Sequence, residues 1–456
     1  MKLGILIAIV VVLAIAAISI FSQYNVVSTT TTTINSSTIP TTTFVSTVNS
    51  SSAPHHFQVI ANITLNPILP TSYDMYVNYA VYSPLNHYVY FITNAGLSAL
   101  PPLPSVNSTI GINASATDAV YDPDNDYVYA VNFGSKGTVS VISGTKIVAE
   151  INVAPYPESV VYNPQNHYMY VASLGNYFGQ NTTTPVISVI SGTSIIANIT
   201  GVYGLQSQTG VVASLLYNPA NSYMYGLNTN HTVAVISGTS VIANIIFTNN
   251  SSTYPNVAVV DSSNGYIYLA SEGLNGGVVN IISGTRIIAN FSLNWWAPGS
   301  SIIQRIIYDS FNNYIYVLSN YTTISVFSGE KFVKNLNMGE MWGLASGYDP
   351  SRGYLYVENY AKNGDNLSII SGTNIIKNIS TGRIEGIVYD PSDNNIYVLR
   401  SEMFSGNESV SILLGTETIA NVTVSSHSVG IYCNPFNGDI YVPNFMSHTI
   451  SIISSI

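Results

Sequence analysis

From residue 80 to the end of the chain, apolar and polar positions alternate in short runs, broken at regular intervals by turn residues. One pattern returns nine times, at intervals of about 39 to 55 residues. Its first half reads AVYSPLNHYVYFITN at 80–94, AVYDPDNDYVYAVN at 119–132 and IVYDPSDNNIYVLR at 387–400. Its second half reads TVSVISGTKIVAEINV at 138–153, with relatives such as VAVISGTSVIANII and LSIISGTNIIKNIS. Each unit therefore predicts four short strands. Strand A ends at the Tyr before Asp-Pro, and D-P-x-N/G turns into strand B, with Pro at fixed φ and Asn or Gly at positive φ. Strand B is Y-x-Y-x, its two Tyr on one face. Strand C ends in V-I-S, Ser-Gly-Thr reverses the chain, and I-I-A-N-I forms strand D.

Four antiparallel strands per unit of about 40–45 residues predict the blades of an all-β propeller. The chain ends support a closed ring. The last copy stops at TISIISSI (449–456) without a strand D, and FQVIANITL (57–65) precedes the first copy with the strand D pattern. The N-terminal segment is thus expected to complete the last blade. An open stack would instead need caps at both ends. Copy counting predicts nine blades in one propeller over 57–456. Eight is the alternative count, because the first copy replaces Ser-Gly-Thr with a Pro-rich turn (96–114).

Ahead of the repeats stands an uncharged apolar run, Leu3 to Phe21, after Lys2. Nineteen helical residues span about 28 Å, near the hydrocarbon thickness of a bilayer. Residues 1–22 are read as a transmembrane anchor, with a cleaved signal peptide (small residues at Ala14-Ile15-Ala16) as the other reading; the run's length favours the anchor. Both export the remaining chain, and Lys2 suits a cytoplasmic N-terminus with the C-terminal domain at the cell surface. Residues 23–56 are rich in Thr and Ser and too poor in large apolar residues to pack, which predicts a disordered stalk.

Only 7% of the 456 residues are Asp, Glu, Lys or Arg, and 34 are Tyr. The net charge of −10 with 12 basic residues argues against nucleic acid as a partner. A single cysteine, Cys433, excludes an intramolecular disulfide framework. Few ionisable groups also imply a fold that tolerates low pH.

The chain resembles the YVTN β-propeller repeat proteins, common among archaeal surface-layer and cell-surface proteins. The resemblance covers about 85% of the sequence and rests on the Y-D-P-x-N-x-Y-V-Y and S-V-I-S-G-T-x-I-I-A-N-I motifs, although YVAS, YLAS or YVEN replace the eponymous tetrapeptide. It implies blades around a central channel and an extracellular location, and specifies no ligand.

In such a blade the A–B and C–D turns lie at one end of the ring, the B–C and D–A connections at the other. The first set is monotonous. Asp122, Asp309, Asp349 and Asp390 within it suit turn capping better than calcium, and His87 and His167 share a turn slot with Asp126 and Ser222. The second set varies. It holds Tyr177 (174–185), Tyr203 (200–210), Trp295 and Trp296 (293–301), and Glu340 and Trp342 (337–343), so all three tryptophans fall here. Flat rings stack on sugars and anchor protein interfaces, so this end is the candidate binding face for glycans or envelope proteins. Plugging the wide end of the ring is the alternative role for the Trp rings. Arg305, Arg383, Glu385, Arg400 and Glu402 lie near it, suited to orienting a ligand or to salt bridges between loops.

Catalysis finds little support. The chain has no H-E-x-x-H, no G-x-S-x-G and no sialidase or quinoprotein propeller box. No cofactor is expected, and His55-His56 offers at most a weak metal site. Recognition is thus the leading function, a structural surface-layer role the second, and a channel hydrolase or lyase the third. Sixteen N-x-S/T sequons occur, among them Asn35, Asn49, Asn62, Asn198, Asn290, Asn378 and Asn421, which export would open to glycosylation.

Overall fold

The computed structural model describes residues 57–455, except 65–76, 94–95, 101–107, 111–114, 176–184, 201–214, 229–230, 248–253, 274–275, 294–302, 320–322, 339–344, 362–363, 402–407, 425–427, 429 and 445–448. The expected anchor, the stalk and His55-His56 therefore lie outside the described residues. Within them the fold is all-β: thirty-six strands form nine four-stranded antiparallel sheets. These are nine blades, and the alternative count of eight falls away. Each blade runs A–B–C–D, as in blade 2: Ser115–Asp122, Tyr127–Phe133, Thr138–Ser143 and Lys146–Asn152. The first copy is a full blade, with a three-residue strand D, Ser108–Ile110.

The ninth blade is split as the chain ends imply. Its strand D is Phe57–Thr64, paired antiparallel with Thr449–Ser455. Packing closes the ring. The core divides into nine clusters, one per seam between adjacent blades; that between blades 9 and 1 joins Tyr441, Ile450 and Ile452 to Val89, Phe91 and Leu100. Alternation along each strand produces this: Tyr129 and Val131 face blade 3, while Val128 and Ala130 face blade 1. A blade apolar on both faces requires a neighbour on each side, which a closed ring alone supplies.

The Y-x-Y motif has a second consequence. The largest fully buried side chains are all tyrosines, and a buried hydroxyl needs a partner. The second Tyr of strand B donates to the Gly carbonyl of the next blade's C–D turn, Ser-Gly-Thr in five cases, Ser-Gly-Glu at Gly329 and Leu-Gly-Thr at Gly415. Seven seams repeat this bond: Tyr90 to Gly144, Tyr129 to Gly192, Tyr170 to Gly238, Tyr225 to Gly284, Tyr268 to Gly329, Tyr316 to Gly372 and Tyr356 to Gly415, at 2.7–2.9 Å. It places the A–B and C–D turns at one end of the ring.

Two seams lack the turn glycine, because strands C and D of blade 9 come from opposite chain ends and blade 1 carries the Pro-rich connection. Rings fill both places. Phe57 meets Tyr397 edge-on at 6.2 Å. Between blades 9 and 1, Phe436 lies 4.4 Å from His87, and Phe91 lies 5.7 Å from Tyr441.

The A–B turns correct one detail. Positive φ falls one residue after the Asn of D-P-x-N: on His87, Asp126, His167, Ser222, Asn313 and Asn394, and on Gly265, Gly353 and Gly438. Non-glycine residues are costly in this region. In four blades a hydrogen bond to the strand A Tyr helps hold them: Tyr82 with His87 (2.7 Å), Tyr162 with His167 (3.2 Å), Tyr308 with Asn313 (3.0 Å) and Tyr389 with Asn394 (2.6 Å). The turn aspartates cap: Asp122, Asp309, Asp349 and Asp390 each accept the amide N–H two residues on, at 2.8–3.0 Å.

Candidate functional site

Strands A of neighbouring blades lie against one another at the centre, while strand D is the most exposed of each blade. The inner strands therefore surround the channel, and their starting ends lie opposite the uniform turns. Six of them begin with a β-bulge, and the extra residue is polar each time: Asn78, Thr117, Glu158, Asn256, Gln304 and Glu385. Bulges cluster where a sheet must re-aim a side chain, often beside binding sites. Bulges at one repeat slot in six of the nine blades thus place polar residue types at one end of the inner strands. Sequence reading passed over Glu158. The available signal was its slot, four residues before the strand A Tyr (Val260 in blade 5), which is polar in all six blades.

Burial charges this end unusually. Desolvation raises the Glu158 carboxyl to about 7. Asp118, next to the Thr117 bulge, is buried and accepts the N–H groups of Ala119 (2.8 Å) and, from blade 3, Val160 (2.9 Å). Glu358 accepts the Ile384 N–H (3.0 Å), and Glu408 that of Ser428 (2.7 Å). These acids cap the incoming strand of the next blade, a structural task.

The sequence-predicted residues divide. Trp295, Trp296, Trp342, Tyr177, Tyr203, Glu340 and Glu402 lie outside the described residues. Arg383 forms an ion pair with Glu385 at 3.0 Å. Arg400 turns along its own blade, donating to Ser409 Oγ (3.1 Å) and Asn421 Oδ1 (3.0 Å). Arg305 stands one residue past the Gln304 bulge, half-buried. Of the sequons, Asn198, Asn290, Asn378 and Asn421 are exposed on strands D, and Asn62 lies on the closing strand. Asn35 and Asn49 precede the described residues. Among the described residues no group of three or more His, Cys, Asp or Glu is placed to hold a metal ion.

The acid-tolerance expectation takes a definite sign. Burial raises Asp122 and Asp390 to about 6 and Glu158 to about 7. A carboxyl whose folded pKa exceeds its unfolded value binds its proton earlier in the folded state, so stability rises as pH falls through that window. Melting followed by circular dichroism should give a Tm about 2–4 °C higher at pH 4.5 than at pH 7.5. A lower Tm at pH 4.5 would reverse this account.

No family model matches the chain, and no curated protein matches it. The fold has many counterparts among solved structures. One, described as the crystal structure of the eukaryotic initiation factor, superposes with a TM-score of 0.52 over 80% of this chain and 88% of that one, at 11% identity. That likeness concerns the fold alone.

Proposed function

We propose that the protein is a cell-surface binding module of the YVTN repeat type, recognising glycans or envelope proteins with the end of the ring opposite its uniform turns. A propeller is suited to binding, since a rigid ring presents many connections at one end. The observation that carries the reading is the asymmetry of the ring. One end repeats a single turn chemistry in blade after blade, and the other begins in polar bulges. In sequence, the connections of that second end hold Trp295, Trp296 and Trp342. The apolar run and Thr/Ser-rich segment before residue 57 suit display outside the cell, on a membrane helix or after its cleavage.

The test is binding of the exported domain to whole cells and to glycan arrays. Replacing Trp295, Trp296 and Trp342 together by Ala should reduce binding at least tenfold, since stacked aromatic anchors dominate such sites. Unchanged binding would remove this face from consideration.

One observation favours a lattice role as the second reading. Each strand D paired along the I-I-A-N-I pattern carries a bulge, and the extra residue is aliphatic: Ile60, Val148, Ile196, Ile242, Ile288, Val333, Ile376 and Ile419. Ile196 and Ile242 are each 45% exposed. A bulge protects an exposed sheet edge, whereas an apolar rim residue also suits lateral contacts. Two-dimensional arrays on isolated envelopes would select this reading.

A further inference from the structure

At the bulged end of the ring, apart from Glu158, whose partly buried carboxyl is pushed toward its neutral form, the other charged side chains in view have partners within the protein. Asp118, Glu358 and Glu408 accept backbone N–H groups, Arg383 pairs with Glu385, and Arg400 donates to Ser409 and Asn421. Arg305 differs. Its Nε is buried with no acceptor, and no hydrogen bond or ion pair engages its guanidinium among the described residues. Its place sharpens the anomaly. Arg305 pairs with Leu318 and shares a strand face with Ile307, and both apolar side chains belong to the dry core between blades 6 and 7. The guanidinium thus stands at the channel end of an apolar seam.

A guanidinium does not shed its proton to escape such a site, and a cation partly removed from water without a counter-charge is disfavoured. An aliphatic side chain would extend the seam without that cost. The chain has only 12 basic residues against 22 acidic ones, yet no acid among the described residues is paired here. The missing partner is an anion that arrives with a ligand, since buried charges persist where they are matched. A guanidinium fork matches a carboxylate in planar geometry, through two parallel N–H bonds.

We infer that Arg305 anchors the carboxylate of an acidic saccharide entering from the bulged end of the channel. The inference rests on the glycan-binding reading above and adds the charge of the glycan. Uncharged sugars would lack this contact, and a sulfate ester is the other source of a comparable oxyanion.

Calorimetric titration of the complete exported domain at fixed ionic strength tests it, with oligogalacturonate, dextran sulfate and uncharged dextran as probes. Oligogalacturonate should bind and raise the Tm. Arg305→Met should weaken that binding at least tenfold, and Arg305→Lys should fall between. Without ligand, Arg305→Met should melt no lower than the parent protein, because an unmatched buried charge has been removed. Binding of dextran sulfate alone, no binding of either polyanion, or unchanged binding by Arg305→Met would each overturn the assignment. A lower Tm of unliganded Arg305→Met would also overturn it, by making the guanidinium a structural group. The two proposals fail separately: Arg305→Met losing oligogalacturonate while the triple Trp variant keeps it refutes only the tryptophan face, and the reverse refutes only the Arg305 site.

Discussion

Removing residues 57–64 should abolish cooperative folding of the domain or lower its Tm by more than about 15 °C, well beyond the usual effect of a point mutation. This segment is strand D of blade 9, paired with Thr449–Ser455 along its length. Phe57 and Val59 pack on the core between blades 8 and 9, and the Phe57 ring meets Tyr397 at a seam without the tyrosine-to-glycine bond. Its loss strips one blade to three strands and exposes an apolar edge. The ring would then open at the seam that depends most on the N-terminal strand. Calorimetry of the domain with and without residues 57–64 measures the effect, and a synthetic FQVIANIT peptide added in trans should restore part of it. A fall in Tm under about 5 °C would show that closure contributes little.

The second large effect lies at Asp309. Its carboxylate is fully buried and accepts four bonds, from the amides of Phe311 (3.0 Å) and Asn312 (2.9 Å), Asn312 Nδ2 (2.9 Å) and, in blade 7, Tyr348 (2.6 Å), while the Tyr316 hydroxyl, which donates to Gly372, lies 3.1 Å from it. Desolvation and this carboxylate together raise both tyrosine hydroxyls well above their ordinary pKa, so both stay donors. Asp309→Ala leaves the Tyr348 hydroxyl and the Asn312 side-chain amide without this acceptor, while Tyr316 keeps Gly372, and should cost about 2–4 kcal/mol in urea unfolding. Asp261 is the internal control. It accepts the Ser263 amide (2.9 Å), Ser263 Oγ (2.6 Å) and Asn264 Nδ2 (2.8 Å) within its own turn, and the nearby Tyr308 hydroxyl of the next blade has Asn313 Oδ1 as its own acceptor (3.0 Å). Asp261→Ala should cost only about 1–2 kcal/mol. Equal costs for the two variants would refute the role of the inter-blade bond.

Blade count, strand order and the split ninth blade were legible because each depends on periodicity within about 40–45 residues. Tyr129 and Ser-Gly-Thr were visible as recurring motifs, yet their union was not. The Tyr129 partner, Gly192, stands 63 residues further along, in another blade. The turn slot was misplaced by one residue because Asn and Gly signal positive φ without saying which position of a tight turn adopts it. The polar bulges escaped notice because a bulge is a mismatch between two strands, visible only once they are paired. Arg305 was singled out as a rare charge; that nothing among the described residues matches it required knowing what surrounds it.

By itself, then, the sequence determined the class of the protein and the polarity of its ring. Alternating side chains and recurring turn residues act between near neighbours, and such short-range physics repeats legibly along the chain. The tertiary structure alone decided which tyrosine meets which glycine, how rings replace that bond at two seams, and which cation lacks a partner among the described residues. Those outcomes depend on desolvation and on groups brought together only when the ring closes, and neither is written in the order of residues along one strand.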